Sequence, residues 1–337
     1  MIRRMPGASQ LLLHALAKAS ADRPQVCRAL VVHQRFLLDT SSSGAGDNDA
    51  RAGTGAVQAF APFARRLFRL ITKHDDAAST KAVVAASLLV RNLMAAKEGR
   101  SLFIQVGAGA ECIRSMRGWL VSRRCHRADC AELLLHTLKL LITASAHPEI
   151  QSAILQAPDF NTWIREMIEL FTRAREAETK AFTAAPTPVA GKHLRATAQP
   201  SRRYPGRAVT HRPGGGDSLA RADVREHTAL LLRNLALHRG NKNMIVATDG
   251  NLKFLLGELV SESLKVVAAC SAALWVVLHH CSRAKSALLR LGARAQVRAA
   301  SRRVEEWQAS SAAPAFAGLP SLERTVRHLA MVGALLD

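Results

Sequence analysis

The stretch TALLLRNLALHRGNKNMIVATDG, residues 228–250, decides the fold of this chain, because SAALWVVLHHCSRAKSALLRLGA, residues 271–293, repeats its pattern. Each copy contains a long apolar helix, a polar break and a short helix that ends at a glycine. A further amphipathic helix follows. We expect Gly250 to end the first short helix in the left-handed conformation, and Gly292 to end the second. The pattern is that of a helical repeat.

The two glycines give a repeat period of 42 residues, which is 292 minus 250. Units of this length occur in armadillo and HEAT proteins, where groups of helices stack and bury one continuous core. We expect the polar residues Asn241 and Ser282 to cap the two short helices. The predicted fold class is therefore all-α, an armadillo/HEAT-like helical-repeat solenoid.

The same signature occurs earlier in the chain. Residues 88–108 align with residues 230–250, and residues 11–31 resemble residues 133–155. The triplets that match in the first pair are Arg91-Asn92-Leu93 and Arg233-Asn234-Leu235. Internal similarity over most of the chain predicts about five repeat units, some of them degenerate.

Two segments interrupt the helical pattern, a Gly- and Ser-rich loop and a longer segment rich in Pro and Gly. Residues 179–216, which include most of the longer segment, carry seven Lys or Arg and no Asp or Glu. Such a composition predicts disorder. The predicted division is an N-terminal helical repeat (1–39), a Gly/Ser loop (40–55), a first armadillo-like block (56–182), a disordered basic linker (183–218), and a second armadillo-like block with a C-terminal capping helix that Ser321 caps (219–337).

The chain is strongly basic. Its 337 residues include 47 Lys and Arg against 26 Asp and Glu, a net charge of +21 at pH 7, and Arg outnumbers Lys. A partner that needs planar bidentate contacts explains this bias, and so does GC-rich codon usage. The basic linker leaves a similar choice open, since it either grips an acidic tail or a nucleic acid backbone, or is a passive insertion.

Enzymatic chemistry is not indicated. The glycine-rich stretches at 44–55 and 213–217 follow no predicted strand, so neither is a phosphate-binding loop. Six scattered cysteines indicate a reducing compartment rather than a disulfide scaffold. The cluster of Cys125, His126, Cys130 and His136 lacks a zinc spacing. We therefore predict no catalytic residue, no metal or other cofactor, and no small-molecule substrate.

Residues 266–278 form the longest run without charge. The run is shorter than the about 20 residues that a helix needs to cross a bilayer. We predict a buried core helix here and no membrane insertion.

A helical solenoid offers a long concave surface for binding. In armadillo repeats generally, an Asn on the third helix bonds the backbone of an extended peptide, and Asn92 and Asn234 resemble that position. Alternatively, each amide satisfies the backbone of a neighbouring repeat. Arg91 and Arg233 each precede these Asn residues and either link adjacent repeats or contact a ligand. The last copy has no matching Asn and carries Trp275 nearby.

The region from Leu230 to Ala293 resembles the C-terminal armadillo-like region of the rotatin family, whose members are large proteins of centrioles and ciliary basal bodies. The resemblance is carried by Arg233-Asn234-Leu235, Asn241-Lys242 with Ile245, Val246 and Ala247, Ala272-Ala273-Leu274-Trp275, and Ala284-Lys285 with Leu288. It implies a non-enzymatic scaffold in basal body organisation and centriole assembly, located in the cytoplasm and cytoskeleton. Its partners would be centriolar or basal body proteins with acidic segments.

The candidate protein-binding residues are Arg91, Asn92, Arg233, Asn234, Asn241, Lys242, Trp275, His279 and Lys285. Two rival interpretations stay open. The net charge and the basic linker favour a solenoid that binds nucleic acid. Arg3 and Arg4, ahead of an apolar run, favour an imported mitochondrial helical-repeat protein.

Overall fold

The structure is a computed structural model that describes residues 80–95, 97–121, 128–184, 222–310 and 320–337. The predicted N-terminal repeat at 1–39 and the Gly/Ser loop at 40–55 lie outside the described residues. The predicted linker at 183–218 also lies outside them, apart from its first two residues.

The described residues are helical, with no strand among them. The helices are α1 Thr80–Leu93, α2 Lys97–Gln105, α3 Ala108–Val121, α4 Ala128–Ser145, α5 Pro148–Leu155, α6 Phe160–Ala184, α7 Ala222–Ala236, α8 Arg239–Ala247, α9 Asp249–Gly257, α10 Leu264–Leu278, α11 Ser282–Arg290, α12 Ala293–Ser310 and α13 Pro320–Leu336. A 3₁₀ turn, Glu258–Val260, follows α9. The all-α prediction is confirmed.

The helices stack in three rows. The principal row consists of α1, α4, α7, α10 and α13, the short-helix row of α2, α5, α8 and α11, and the flanking row of α3, α6, α9 and α12. Successive members of each row pack against one another. Helix α7 begins at Ala222 and α10 at Leu264, which are 42 residues apart. The predicted repeat architecture is therefore confirmed over the described residues.

Helix α10 is the centre of the second half of the stack. It packs between α7 on one side and α13 on the other. Small buried residues such as Ala269, Ala272 and Ala273 let its neighbours approach closely, and Leu274 and Val277 fill the remaining core. The prediction of a buried core helix at 266–278 is confirmed. Among the described residues, none of the helices is both long and apolar enough to span a membrane.

The two helical blocks form one continuous stack. Helices α4, α5 and α6 of the first block contact α7, α8 and α9 of the second. The rings of Phe171 and Phe254 pack across this junction with centroids 5.4 Å apart. The described residues on the two sides of this gap in the sequence thus share one hydrophobic core.

A buried ion pair joins the start of α7 to the 3₁₀ turn. Arg225 Nη1 lies 3.1 Å from Glu258 Oε2, and both side chains are largely buried. Each charge depends on the other, because an isolated buried charge is costly. The pair fixes the distance between the first helix of this repeat and the turn that ends it.

Helix α13 closes the described stack. Its buried face packs on α10 and α12, and it contains Thr325, Leu329, Val332 and Leu336. Arg294 at the start of α12 donates to the carbonyl oxygen of Leu336 at 2.8 Å, which satisfies one free carbonyl of the last turn. The role of α13 as a capping helix stays a prediction.

The prediction that Gly250 ends a short helix is wrong. Gly250 lies in the first turn of α9, and the left-handed glycines of the described residues are Gly107 (φ 64°) and Gly292 (φ 74°). The reason is local. A single extended residue, Thr248, separates α8 from α9, so the chain turns there without a left-handed residue.

The predicted helix caps are also wrong. The N-cap positions of α8 and α11 are His238 and Cys281, and neither side chain makes a capping hydrogen bond. Helix α13 begins at Pro320, one residue before the predicted cap Ser321, and proline suits a first helical position because its missing N–H is not needed there. Asn241 is buried inside α8, where its amide bonds a different helix end.

Gly99 of α2 lies close to the backbone at the end of α1. A Cβ added there would lie 2.0 Å from the carbonyl oxygen of Leu93, whereas a Cβ at Gly118, exposed on α3, would meet nothing within 4 Å. We expect Gly99→Ala to lower the free energy of unfolding by about 1–3 kcal/mol, because backbone must move. Gly118→Ala should raise it by about 1 kcal/mol through helix propensity. Urea denaturation of both variants measures the difference, and equal effects would contradict the close approach.

Candidate protein-binding surface

The outward face of the principal row is basic and partly aromatic. Each of its helices buries one face and leaves the opposite face half-buried or exposed; in α7, Leu231 and Leu235 are buried while Arg233 is half-buried. We call this face the principal-row surface. Its main side chains are Arg91, His136, Lys139, Arg233, Trp275, His279, Arg324, Arg327 and His328.

At the α1–α4 end, the surface is held by a short chain of hydrogen bonds. Arg91 Nε donates to Thr143 Oγ1 at 3.4 Å, and Thr143 Oγ1 donates to the carbonyl oxygen of Lys139 at 3.0 Å. Partial burial lowers the pKa of Arg91. The pKa of His136 is lowered by burial and by the charges of Lys139 and Arg91, although Glu132 opposes them. Two cations therefore lie close to one imidazole.

At the α10–α13 end, the surface carries an aromatic patch. The rings of Trp275 and His328 are stacked, with centroids 5.6 Å apart and planes 18° apart. The ring of His279 lies 6.0 Å from the indole, centroid to centroid, and is tilted by 54° to it.

Three arginines surround the stacked imidazole. Burial lowers the pKa of His328, and the charges of Arg233, Arg327 and Arg324 lower it further. Arg233 belongs to α7, whereas the other two belong to α13, so the cations approach His328 from both sides of α10. The patch therefore combines aromatic rings with positive charge.

Asn234 connects repeats. Its amide nitrogen donates to the carbonyl oxygen of Ile142 at 3.2 Å and to Ser145 Oγ at 3.3 Å, both at the end of α4. The contact supports the interpretation that this amide satisfies a neighbouring repeat. Asn92 is half-buried near the end of α1.

Asn241 and Lys242 lie in the short-helix row, away from the principal-row surface. Both are buried, with 6% of their surface exposed. Lys242 Nζ donates to the carbonyl oxygen of His279 at the end of α10, and burial lowers the pKa of the ammonium group. Lys285, on α11, is half-buried. The predicted site residues are thus divided between a surface and a set of contacts inside the stack.

Five residues of this surface are not among the sequence-based binding candidates: His136, Lys139, Arg324, Arg327 and His328. Of these, His136 is suggested by the sequence only as part of the Cys/His cluster. The sequence does indicate the three residues of α13, because Arg324, Arg327 and His328 are spaced by three and four residues and therefore share one helix face. Their stacking and charge relations with α7 and α10 required the packed structure.

Metal binding and thiol chemistry find no support in the described part of the chain. No group of three His, Cys, Asp or Glu side chains there is arranged to hold a metal ion, and Cys125 and His126 lie outside the described residues. Burial raises the pKa of Cys112 to about 12, with help from Glu111. Burial also raises the pKa of Cys270. These thiols pack as small apolar groups.

The fold is similar to that of designed armadillo repeat proteins. One of them is 14% identical, covers 96% of this chain over 100% of its own length, and gives a TM-score of 0.50. A second, determined in complex with the peptide (KR)4, is 12% identical, covers 95% of this chain over 99% of its own, and gives a TM-score of 0.48. An engineered protein is 14% identical, with a TM-score of 0.48 over 95% of this chain and 97% of its own.

The first of these likenesses, with a TM-score of 0.50, shows an armadillo-like helical-repeat fold. No family profile matches the chain, and no curated protein is significantly similar to it. The resemblance to rotatin therefore stays a prediction.

The histidines of this surface predict a pH dependence of stability. The folded-state pKa of His328 lies below the unfolded value of about 6.5, so protonation favours unfolding. Its contribution to stability is complete above that value and is lost as the pH falls towards the folded pKa. We expect the melting temperature to fall between pH 7.5 and 5, and to fall less in His328→Gln. Thermal melts of both proteins across this range measure the difference. An identical fall of the melting temperature in the two proteins would contradict the prediction.

Proposed function

We propose that this chain is a non-enzymatic armadillo-like scaffold whose principal-row surface binds an extended, acidic segment of another protein. The observation that carries the proposal is the patch in which Trp275 stacks on His328 while Arg233, Arg324 and Arg327 surround it. Buried aromatic groups and arginines are the residue types that dominate protein–protein binding energies.

The charge of the surface selects the partner. Arg91 and Lys139 at one end, Arg233 in the middle, and Arg324 and Arg327 at the other end are positive. The last three act on one imidazole. Bringing like charges together is unfavourable until an anion approaches. Carboxylates suit this role, because guanidinium groups bind them with two parallel hydrogen bonds.

The spacing of the helices suits an extended ligand. Packed helices lie about 10 Å apart, and an extended chain advances about 3.3 Å per residue, so about three ligand residues pass each helix. The five helices of the principal row then accommodate about twelve residues. Alternate side chains of such a ligand point to the same side. An acidic residue at every second position would therefore face the surface.

A labelled peptide of six Glu-Ser pairs tests the proposal, with six Lys-Ser pairs as the control ligand. We expect the acidic peptide to bind and Arg233→Glu to weaken it at least about tenfold, because one attraction becomes a repulsion. Arg239→Glu makes the same change of charge on an exposed residue of α8 in the short-helix row, and it should leave the affinity nearly unchanged. Fluorescence anisotropy measures the affinities, and circular dichroism checks that helicity is retained.

Two outcomes would overturn this proposal. One is the absence of binding by the acidic peptide, and the other is an equal effect of Arg233→Glu and Arg239→Glu. Duplex and single-stranded nucleic acids belong in the same assay. Binding of these that falls steeply with salt, together with no binding of the acidic peptide, would favour the nucleic acid hypothesis.

We further propose that the scaffold acts at the centriole or ciliary basal body, in the cytoskeleton of the cytoplasm, with a protein of that structure as its partner. The support is the resemblance of Leu230 to Ala293 to the rotatin family, which falls on helices α7 to α11. The proposal includes a role in basal body organisation and centriole assembly.

The location of the tagged full-length chain in a ciliated cell tests this second proposal. We expect a spot that coincides with a centriole marker, and we expect Arg233→Glu to reduce that spot if the principal-row surface recruits the protein. A mitochondrial pattern would favour the imported helical-repeat hypothesis, and a nuclear pattern would favour nucleic acid binding. Either pattern would contradict the centriolar proposal and leave peptide binding to be judged separately.

A further inference from the structure

A second surface, distinct from the principal-row surface, lies at the end of the described stack. An open groove of about 830 Å³ lies between α12 and α13. We call it the end groove. Its floor contains the buried residues Val297, Leu329 and Leu336. In the principal row, α4, α7 and α10 each have a neighbouring helix on both sides. Helix α13 has no following helix among the described residues.

One wall of the end groove is a row of arginines. Arg294, Arg298 and Arg302 line it from α12, and their spacing of four residues places them on one helix face over about 12 Å. All three are exposed. Arg294 is engaged, because it lies 3.5 Å from Asp337 and donates to Leu336. Within the described part of the chain, no ion pair involves Arg298 or Arg302.

The opposite wall is made of small residues. Ala330, Gly333 and Ala334 line it from α13, again at spacings of three and four residues. A Cβ added to Gly333 would meet nothing within 4 Å. Small residues at this spacing let a second helix approach closely.

We propose that the end groove docks an acidic helix of a partner protein, which lies along α12 and α13 as the next helix of the stack. Charge complementarity selects this partner. Its Glu or Asp residues, repeated every four positions, would pair with Arg298 and Arg302, while an apolar edge covers the floor near Leu329. A helix of about two to three turns matches the length of the arginine row.

The geometry favours a helix over a nucleic acid. The arginines alone would attract a phosphate backbone equally well. However, a groove with small residues on one wall and an apolar floor matches the shape of a helix, and a duplex would gain nothing from the space above Gly333. Both walls are therefore tested separately.

The probe is a helical peptide rich in Ala and Leu, with Glu at every fourth position. Its control is a peptide of the same composition in which the Glu residues are distributed around the helix. We expect the first peptide to bind the full chain and the second to bind at least about tenfold more weakly. The double variant Arg298→Glu/Arg302→Glu should reduce binding of the first peptide by about a hundredfold, because two attractions become repulsions.

Gly333→Leu tests the opposite wall. The new side chain extends into open space, so thermal stability should be kept or raised, while binding of the acidic helix should weaken at least about tenfold. Arg233→Glu is the matched control, because it changes the principal-row surface and should leave this binding intact. The two surfaces can thus fail independently.

Three results would overturn the proposal. They are equal binding of the two peptides, wild-type affinity in Gly333→Leu, and failure of the acidic helix to bind at low salt. If duplex nucleic acid binds instead, with an affinity that the double arginine variant abolishes and Gly333→Leu does not change, the end groove is an electrostatic phosphate site and not a helix dock.

Discussion

The stack depends on the hydrogen bonds that satisfy the free carbonyl groups at the ends of the principal-row helices. The last carbonyls of a helix have no partner within it, and at the ends of α4 and α7 a side chain of the next short helix supplies one. Asn241 of α8 donates to the carbonyl oxygen of Leu235 at 3.1 Å, six residues earlier. Gln151 of α5 does the same for Ser145 at 2.8 Å. A buried carbonyl without a partner would cost about 1–3 kcal/mol, so these residues permit the sharp turn that each repeat requires.

The same side chains also join one repeat to the next. Asn241 donates to Gln151 Oε1 at 3.2 Å, which links the two blocks although they are far apart in sequence. In the last repeat the corresponding position is Ala284, six residues after Leu278, and it is buried and apolar. There the carbonyl of His279 receives its hydrogen bond from Lys242 of the preceding repeat. The Asn241-Lys242 pair therefore closes two helix ends, one in its own repeat and one in the next.

These contacts explain what the sequence could and could not predict. The helical class and the burial of α10 follow from apolar spacing, which is local. The 42-residue period follows from the repetition of the whole pattern, and the starts of α7 and α10 show the same period. The role of Asn241 does not follow from the sequence, because a polar residue early in a short helix resembles a helix cap. Only the packing of α8 on α7 and α5 shows which carbonyl oxygen its amide contacts. The position of Gly250 depends on its neighbours in the same way, since an extended Thr248 already makes the turn. In the surface, Trp275 was recognisable as unusual, whereas its stacking on His328 depends on α13 packing against α10.

The residues that bond helix ends and the residues that lie on the principal-row surface differ in what they indicate about function. Asn234, Asn241 and Lys242 bond helix ends, so the integrity of the stack is sufficient to explain them. Arg233 and the arginines of α13 are different, because their charges act on a half-buried imidazole and lower its pKa. Burial and these charges favour the neutral form of the ring, so at neutral pH the arginines lie beside it without an imidazolium to repel. An anionic ligand suits such a concentration of positive charge, and this is the physical reason to look for the binding site on the principal row.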